Sequence, residues 1–331
     1  MRKSIQLIAL AVMSFAIVSC SDVSLDNSDT ALNSLNKSSR IEGKDRGCAA
    51  MDVLEENMRE DPSLKEKMDE IEKHTKDFEK KMKGGRVGAT GILIIPVVVN
   101  VLYANANENI SAAQIQSQID VLNKDFSATN SDISLVPSAF TAAVSNLEYQ
   151  FVLSSVVRKA STKVSWGTRD AMKSSRKGGI DPTSPTTTLN MWVCNIGGGI
   201  LGYAQFPGGS SATDGVVIGP QYFGNTGFVS APYDKGRTAT HEVGHWLNLR
   251  HIWGDASCGN DQVADTPTQQ TANYGCPSFP RVTCANGPNG DMFMNYMDYT
   301  NDLCMYMFTG GQKTRSRAIF ALGGARASYN P

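Results

Sequence analysis

His241-Glu242-Val243-Gly244-His245-Trp246-Leu247-Asn248-Leu249-Arg250-His251 is the stretch that decides how this chain reads. It holds three of the four histidines in 331 residues. Residues four apart share one face of a helix. His241 and His245 have that spacing, so both imidazoles can grip one Zn²⁺ while Glu242, beside the first, acts as general base. His251 joins the same metal only if the helix stops after Leu247 or Asn248 and the chain turns back. Asn at position 248 suits that turn, because asparagine is second only to glycine in tolerating the left-handed conformation. Three neutral imidazoles leave one tetrahedral position open for water, which is the arrangement of a catalytic zinc. A rival site would take its third ligand from an acid about 20 residues beyond the second histidine. Asp265 lies near that distance, but Gly254, Cys258, Gly259 and Pro267 give its surroundings no helical period. A second rival makes His251 an incidental histidine. The remaining one, His74, falls in a charged segment and is expected on a solvated helix face.

Working outward, the N-terminus reads as an export signal over residues 1–20. Arg2 and Lys3 precede an apolar stretch from Ile5 to Val18 that is too short for an ordinary membrane span. Ser19-Cys20 fits a lipoprotein signal, with Cys20 as the lipidated residue; the alternative is an ordinary signal peptide cut nearby. Residues 21–45 have the polar composition of a tether. Export favours paired cysteines. Beyond Cys20 there are six: Cys48, Cys194, Cys258, Cys276, Cys284 and Cys304. Four of these crowd the C-terminal quarter, and four cysteines allow three pairings. A net charge of −1 points away from a nucleic-acid partner.

Between the ends the pattern is that of a small helical prosegment (46–86) and one catalytic-sized domain (87–331). Asp61-Pro62 reads as an N-cap with proline at the first helical position. Leu64, Met68, Ile71, Phe78 and Met82 then mark an amphipathic helix that Gly84-Gly85 ends. Ile92 to Tyr103 is β-prone, and Pro96 inside it predicts a position at a sheet margin. Ser111 to Gln114 predicts a capping box opening a helix with Ile115, Ile119 and Leu122 on one face. Glu148 to Ser155, Leu189 to Ile196 and Val216 to Ile218 predict strands, with residues 156–188 largely loop. Gly197-Gly198-Gly199 is either a flexible turn or a rim where an extended peptide approaches the backbone. The zinc helix is expected over about 235–248.

The histidine string resembles the long zinc motif of metzincin metallopeptidases, and Asn295-Tyr296-Met297-Asp298-Tyr299 resembles their methionine turn. With the Trp253-Gly254-Asp255 that follows His251, the clustered cysteines and Phe308-Thr309-Gly310-Gly311-Gln312, the chain is similar to the pappalysin (M43) family from about Ile92 to Gln312. The resemblance implies an α/β (α+β) fold of metzincin type: a twisted mixed sheet, a backing helix, an active-site helix and an irregular C-terminal lobe. It implies Met297 beneath the metal and Tyr299 stabilising the oxyanion; taken alone, Tyr299 reads as a core tyrosine. It implies disulfides Cys258–Cys284 and Cys276–Cys304. Asp261, the Ala264 carbonyl and Thr266 resemble a calcium loop, and oxygen donors suit that hard cation; a polar turn is the other reading. Cys48 resembles a cysteine switch, its thiolate filling the open zinc position; a disulfide with Cys194 is the alternative, although Cys194 reads as a buried thiol. Release would follow cleavage near Gly84 to Arg86. Family members that cut before Arg or Lys carry an acid just ahead of the last disulfide cysteine, at the S1′ floor. Here Leu303 stands there, which predicts no basic preference, with Asp302 the residue beside it.

Together these features predict a zinc-dependent metalloendopeptidase made as a latent zymogen, either secreted or anchored to the cell envelope by lipid alone. Protein or peptide substrates would lie along the strand near Gly198 to Tyr203. A non-enzymatic rival is a lipoprotein that keeps zinc for structure or binds peptides uncut; Glu242 and Tyr299 speak against it.

Overall fold

The computed structural model describes residues 46–84 and 91–329, all within one contact unit. The expected signal, the expected tether and all of the expected cleavage segment except Gly84 lie outside the described residues.

Five strands form a single sheet: β1 (Leu93–Tyr103), β2 (Tyr149–Ala160), β3 (Leu189–Val193), β4 (Gly202–Ala204) and β5 (Val216–Ile218), in the order β2-β1-β3-β5-β4. All neighbours are parallel except β4, which runs antiparallel to β5 at one edge. Side chains alternate across a strand. Thus Ile95, Val97, Val99 and Val101 of β1 enter the main core, where helix α3 (Ala112–Phe126) supplies Ile115, Ile119, Leu122 and Phe126. Helix α4 (Arg237–Trp246) supplies Ala239, Val243 and Trp246 to the same core. These are the backing helix and the active-site helix, on one face of the sheet. Leu102, Trp192, Tyr203 and Val217 fill a second cluster on the opposite face.

Several expectations change in detail. β1 is interior rather than marginal, with β2 paired along its whole length on one side and β3 from Val97–Leu189 onward on the other. Pro96 therefore sits before that neighbour starts, where its missing N–H breaks no ladder bond on that side. β2 continues to Ala160, into the stretch read as loop. Only half of the capping box forms. Ser111 Oγ accepts from Gln114 N at 3.1 Å. The Gln114 amide instead binds the Pro220, Phe223 and Phe228 carbonyls and the Phe228 N–H, so it ties down the loop ahead of α4.

The expected prosegment folds as α1 (Ala50–Glu60) and α2 (Ser63–Lys83). Asp61 caps α2, its carboxylate accepting from Ser63 N and Oγ. His74 is half-buried rather than solvated, with Nε2 at 3.1 Å from the Ala318 carbonyl of the last helix, α5 (Gly310–Ala318). The disulfides are Cys258–Cys284 and Cys276–Cys304, while Cys48 and Cys194 are both free.

Candidate active site

Every residue of α4 is buried. Buried polar groups require partners, and each one on this helix points to the site's construction. Thr240 donates to Asp125 of α3 at 2.7 Å, and Arg237 pairs with the same carboxylate at 2.9 Å. The helix ends as a Schellman turn: the Asn248 N–H reaches His245 O at 2.9 Å and the Leu249 N–H reaches Gly244 O at 2.9 Å. Asn248 takes φ +72°, the left-handed hinge expected of it. The chain reverses there and returns His251 to the helix.

Three imidazoles meet as a result. His245 Nε2 lies 3.1 Å from both His241 Nε2 and His251 Nε2. Each Nδ1 faces a fixed oxygen: Tyr296 O at 2.7 Å, Leu249 O at 2.8 Å and Asp255 Oδ1 at 2.5 Å, for His241, His245 and His251. Such partners fix the ring orientation and the tautomer, leaving Nε2 free to ligate. Burial first, then the neighbouring imidazoles, hold His241 and His245 well below the usual histidine range, so both are neutral. Cys48 Sγ completes the group, with all four donor atoms within 4.8 Å of one another. Three nitrogens and one sulfur at this spacing suit Zn²⁺.

Glu242 stands beside the cluster, its Oε2 3.5 Å from Cys48 Sγ, and burial pushes its carboxyl up to about 8. Tyr299 packs edge-on to His251, and its hydroxyl reaches the Cys48 carbonyl at 3.5 Å. Trp253 stacks flat on His251 with 4.3 Å between centroids. Met297 lies against the back of α4. A Cβ on Gly244 would stand 2.4 Å from its Sδ, so glycine is what admits the methionine turn beneath the histidines. Asp255, the acid of Trp253-Gly254-Asp255, was visible in the sequence only as part of a motif, without its role of orienting His251.

The expected prosegment lies across this site. Leu201 N donates to Gly47 O at 2.8 Å and Ala49 N to Gly202 O at 3.1 Å, so residues 47–49 pair parallel with the β4 edge. Arg46, 3% exposed, enters the molecule beside them. Its guanidinium pairs with Asp302, donates to Thr300 O and Thr238 Oγ1 at 3.3 Å each, and lies 4.9 Å from the Tyr233 ring centroid. Asp302 is fully buried and also accepts from the Lys235 and Arg237 N–H groups at the start of α4. Leu303, the residue expected at the S1′ floor, is 58% exposed, while Asp302 beside it is fully buried. In the short 3₁₀ turn Asp302–Cys304 the inward position falls to Asp302, one residue earlier than the motif's spacing suggested.

Two further positions resolve differently from one another. Asp265 does not join the histidines. It accepts from Thr309 Oγ1 and Gly311 N at 2.7 Å each, capping α5, so the acid-ligand rival loses its residue. Asp261 and Thr266 do come together: Thr266 Oγ1 lies 3.0 and 2.9 Å from the two carboxylate oxygens. The carbonyl meeting that hydroxyl is Val263's, at 2.9 Å, rather than Ala264's. Burial pushes the Asp261 carboxyl up to about 7.

Known proteins share this sequence and architecture. The M43 peptidase family model, described as pregnancy-associated plasma protein-A, matches residues 188–321. An extracellular metalloprotease of Verticillium alfalfae is 32% identical over 236 residues, covering 69% of this chain and 77% of the relative. One from Colletotrichum graminicola is 34% identical over 262 residues, covering 75% and 84%. Among solved structures, a mutant of Tannerella forsythia promirolysin matches with a TM-score of 0.75 at 43% identity, covering 86% of this chain and 97% of its own. Mature mirolysin in complex with a cleaved peptide matches with a TM-score of 0.71 at 47% identity, covering 73% and 96%. The mixed sheet and helices are those of the metzincin fold, and the chain belongs to the pappalysin (M43) family of zinc metalloendopeptidases.

Proposed function

We propose that residues 87–331 cut proteins internally at a zinc centre held by His241, His245 and His251, and that residues 46–86 keep that centre latent. The observation that carries this reading is the convergence of three Nε2 atoms, each backed by an oxygen at Nδ1, with Cys48 Sγ at the remaining corner. Zn²⁺ bound there supplies Lewis acidity, acidifying water and polarising a peptide carbonyl. Glu242 takes a proton from the attacking water and returns it to the leaving amine. Tyr299, whose hydroxyl now meets the Cys48 carbonyl, turns to the substrate oxyanion once the prosegment has left. Cys48 holds the place of the attacking water, and cleavage in the segment after Gly84 frees the cleft.

The substrate strand lies on the β4 edge that residues 47–49 now occupy. Arg46 supports a preference for Arg or Lys on the carboxyl side of the cut bond, with Asp302 as the countercharge; this reverses the expectation drawn from Leu303. We read residues 1–20 as the export signal, Cys20 as a lipid anchor and 21–45 as its tether. The relatives are named as extracellular enzymes, and no helix among the described residues is long and apolar enough to cross a membrane. We read Asp261 and Thr266, with the Val263 carbonyl in place of Ala264's, as the oxygen donors of a calcium loop. The deciding assay compares processed enzyme with processed Glu242→Ala on an unfolded protein. Loss of a general base should cost roughly 100-fold or more, and equal cleavage by both would end the proposal.

A further inference from the structure

Helix α2 covers a groove that runs away from the cleft. The groove starts at Phe206, whose ring lies 5.1 Å from that of His245 and which shares a cluster with Leu54, Leu64 and Met68. It continues over Gly208, where a Cβ would meet Ile71 Cδ1 at 3.0 Å and Leu64 Cδ1 at 3.7 Å. At its centre Arg315 of α5 makes a two-pronged bond to Glu72, at 3.1 and 2.7 Å. Arg315 Nε is fixed on the Asn248 carbonyl at 2.9 Å, so the guanidinium is held by the domain and not by the helix it greets. Arg250 adds positive charge within reach of Glu72. The groove ends at Ala318 and Gly323, against His74. Leu64, Met68, Ile71, Thr75 and Phe78 form one stripe of α2, with Glu72 beside it.

The other half of the prosegment occupies the substrate's own positions: Arg46 fills a side-chain pocket and residues 47–49 fill the strand edge. The groove under α2 is continuous with that interface. We propose that this groove is a substrate exosite of the mature enzyme, taking an amphipathic helix with apolar residues at i, i+4, i+7 and i+14 and a carboxylate at i+8. Removal of α2 uncovers Phe206, Gly208 and Ala318 beside a pre-oriented guanidinium, which together make a matched receptor for such a helix. The proposal rests on the proteolytic reading above, because it assigns the exosite to substrates of that same cleft.

The test uses enzyme matured from the full-length chain. Two substrates share one cleavable peptide sequence; one also carries the Asp61–Lys83 segment on a flexible linker, which lacks Arg46 and Cys48 and cannot fill the cleft. The helix-bearing substrate is expected to show a KM about 10-fold lower with little change in kcat, and Glu72→Lys in the appended helix should abolish the gain. In parallel, anisotropy of labelled Asp61–Lys83 with matured enzyme should show saturable binding, weakened about 10-fold by Glu72→Lys. Equal KM for the two substrates, or binding indifferent to Glu72→Lys, overturns the proposal. Saturable, charge-dependent binding without cleavage of either substrate would overturn the proteolytic role while identifying the proteolytic reading, not the groove, as the failure.

Discussion

Replacing Asn248 by glycine should stabilise the protein and leave the histidine cluster intact. Asn248 holds φ +72° at the turn that returns His251. A left-handed conformation costs an L-residue about 1–2 kcal/mol, somewhat less for asparagine. Its side-chain nitrogen is also buried with no partner among the described residues, and a buried unpaired donor costs about 1–3 kcal/mol. Glycine removes both terms and adds a loss of about 0.5–1 kcal/mol in chain entropy. The balance favours Asn248→Gly by about 1–4 kcal/mol. At roughly 2–4 °C per kcal/mol for a chain of this size, Tm should rise by about 2–16 °C. Asn248→Ala deletes the unpaired amide but keeps the strain, so it should gain less than glycine. The assay is thermal unfolding of the zymogen by circular dichroism, with zinc content measured on each variant. The Schellman bonds use only backbone groups, so zinc content should stay the same. A lower Tm for Asn248→Gly, or a loss of zinc, would refute this account of the hinge.

Gly244→Ala places a methyl group 2.4 Å from Met297 Sδ in a fully buried turn; it should destabilise by about 1–3 kcal/mol, read by denaturant unfolding. Arg46→Ala leaves Asp302 buried without its guanidinium, so the zymogen should mature faster, followed by gel and by appearance of activity. In the mature enzyme Asp302→Asn should lower kcat/KM for substrates with Arg after the cut bond at least 10-fold and spare those with a neutral residue there. Asp298 accepts from Gln269, Asn273 and Tyr299, yet burial outweighs these bonds and pushes its carboxyl up to about 6. A carboxyl raised above its unfolded value of about 3.9 stabilises the fold fully below that value and loses this contribution as pH rises through 6. Tm of the wild type minus that of Asp298→Asn should therefore fall between pH 4 and 7, and a flat difference would exclude this group.

Much of the site was legible because metal chemistry and helix geometry constrain residues tightly. The spacing of His241 and His245, the left-handed tolerance of Asn248 and the β-rich runs all have local causes, and each appears where its cause requires. What escaped depends on contacts distant in sequence. α1 has no side-chain cap at Ala49, and its buried residues are Ala50, Val53 and Leu54, a face too narrow to announce a helix. Gln114 carries a capping-box spacing, but three loop carbonyls from residues 220–228 compete for its amide. The buried position falls to Asp302 and not Leu303 because a 3₁₀ turn sets which side chain points inward. Pro96 carries its local restriction, yet the start of β3, almost a hundred residues later, decides that it breaks no ladder bond on that side.

Zinc K-edge absorption on the intact zymogen tests the central claim most directly, that Cys48 closes a three-histidine metal centre. The account predicts three nitrogens at about 2.0–2.1 Å and one sulfur at about 2.3 Å, with the sulfur lost on maturation and in Cys48→Ala. A zymogen spectrum with no sulfur, or a sulfur that persists after the prosegment is gone, would contradict it.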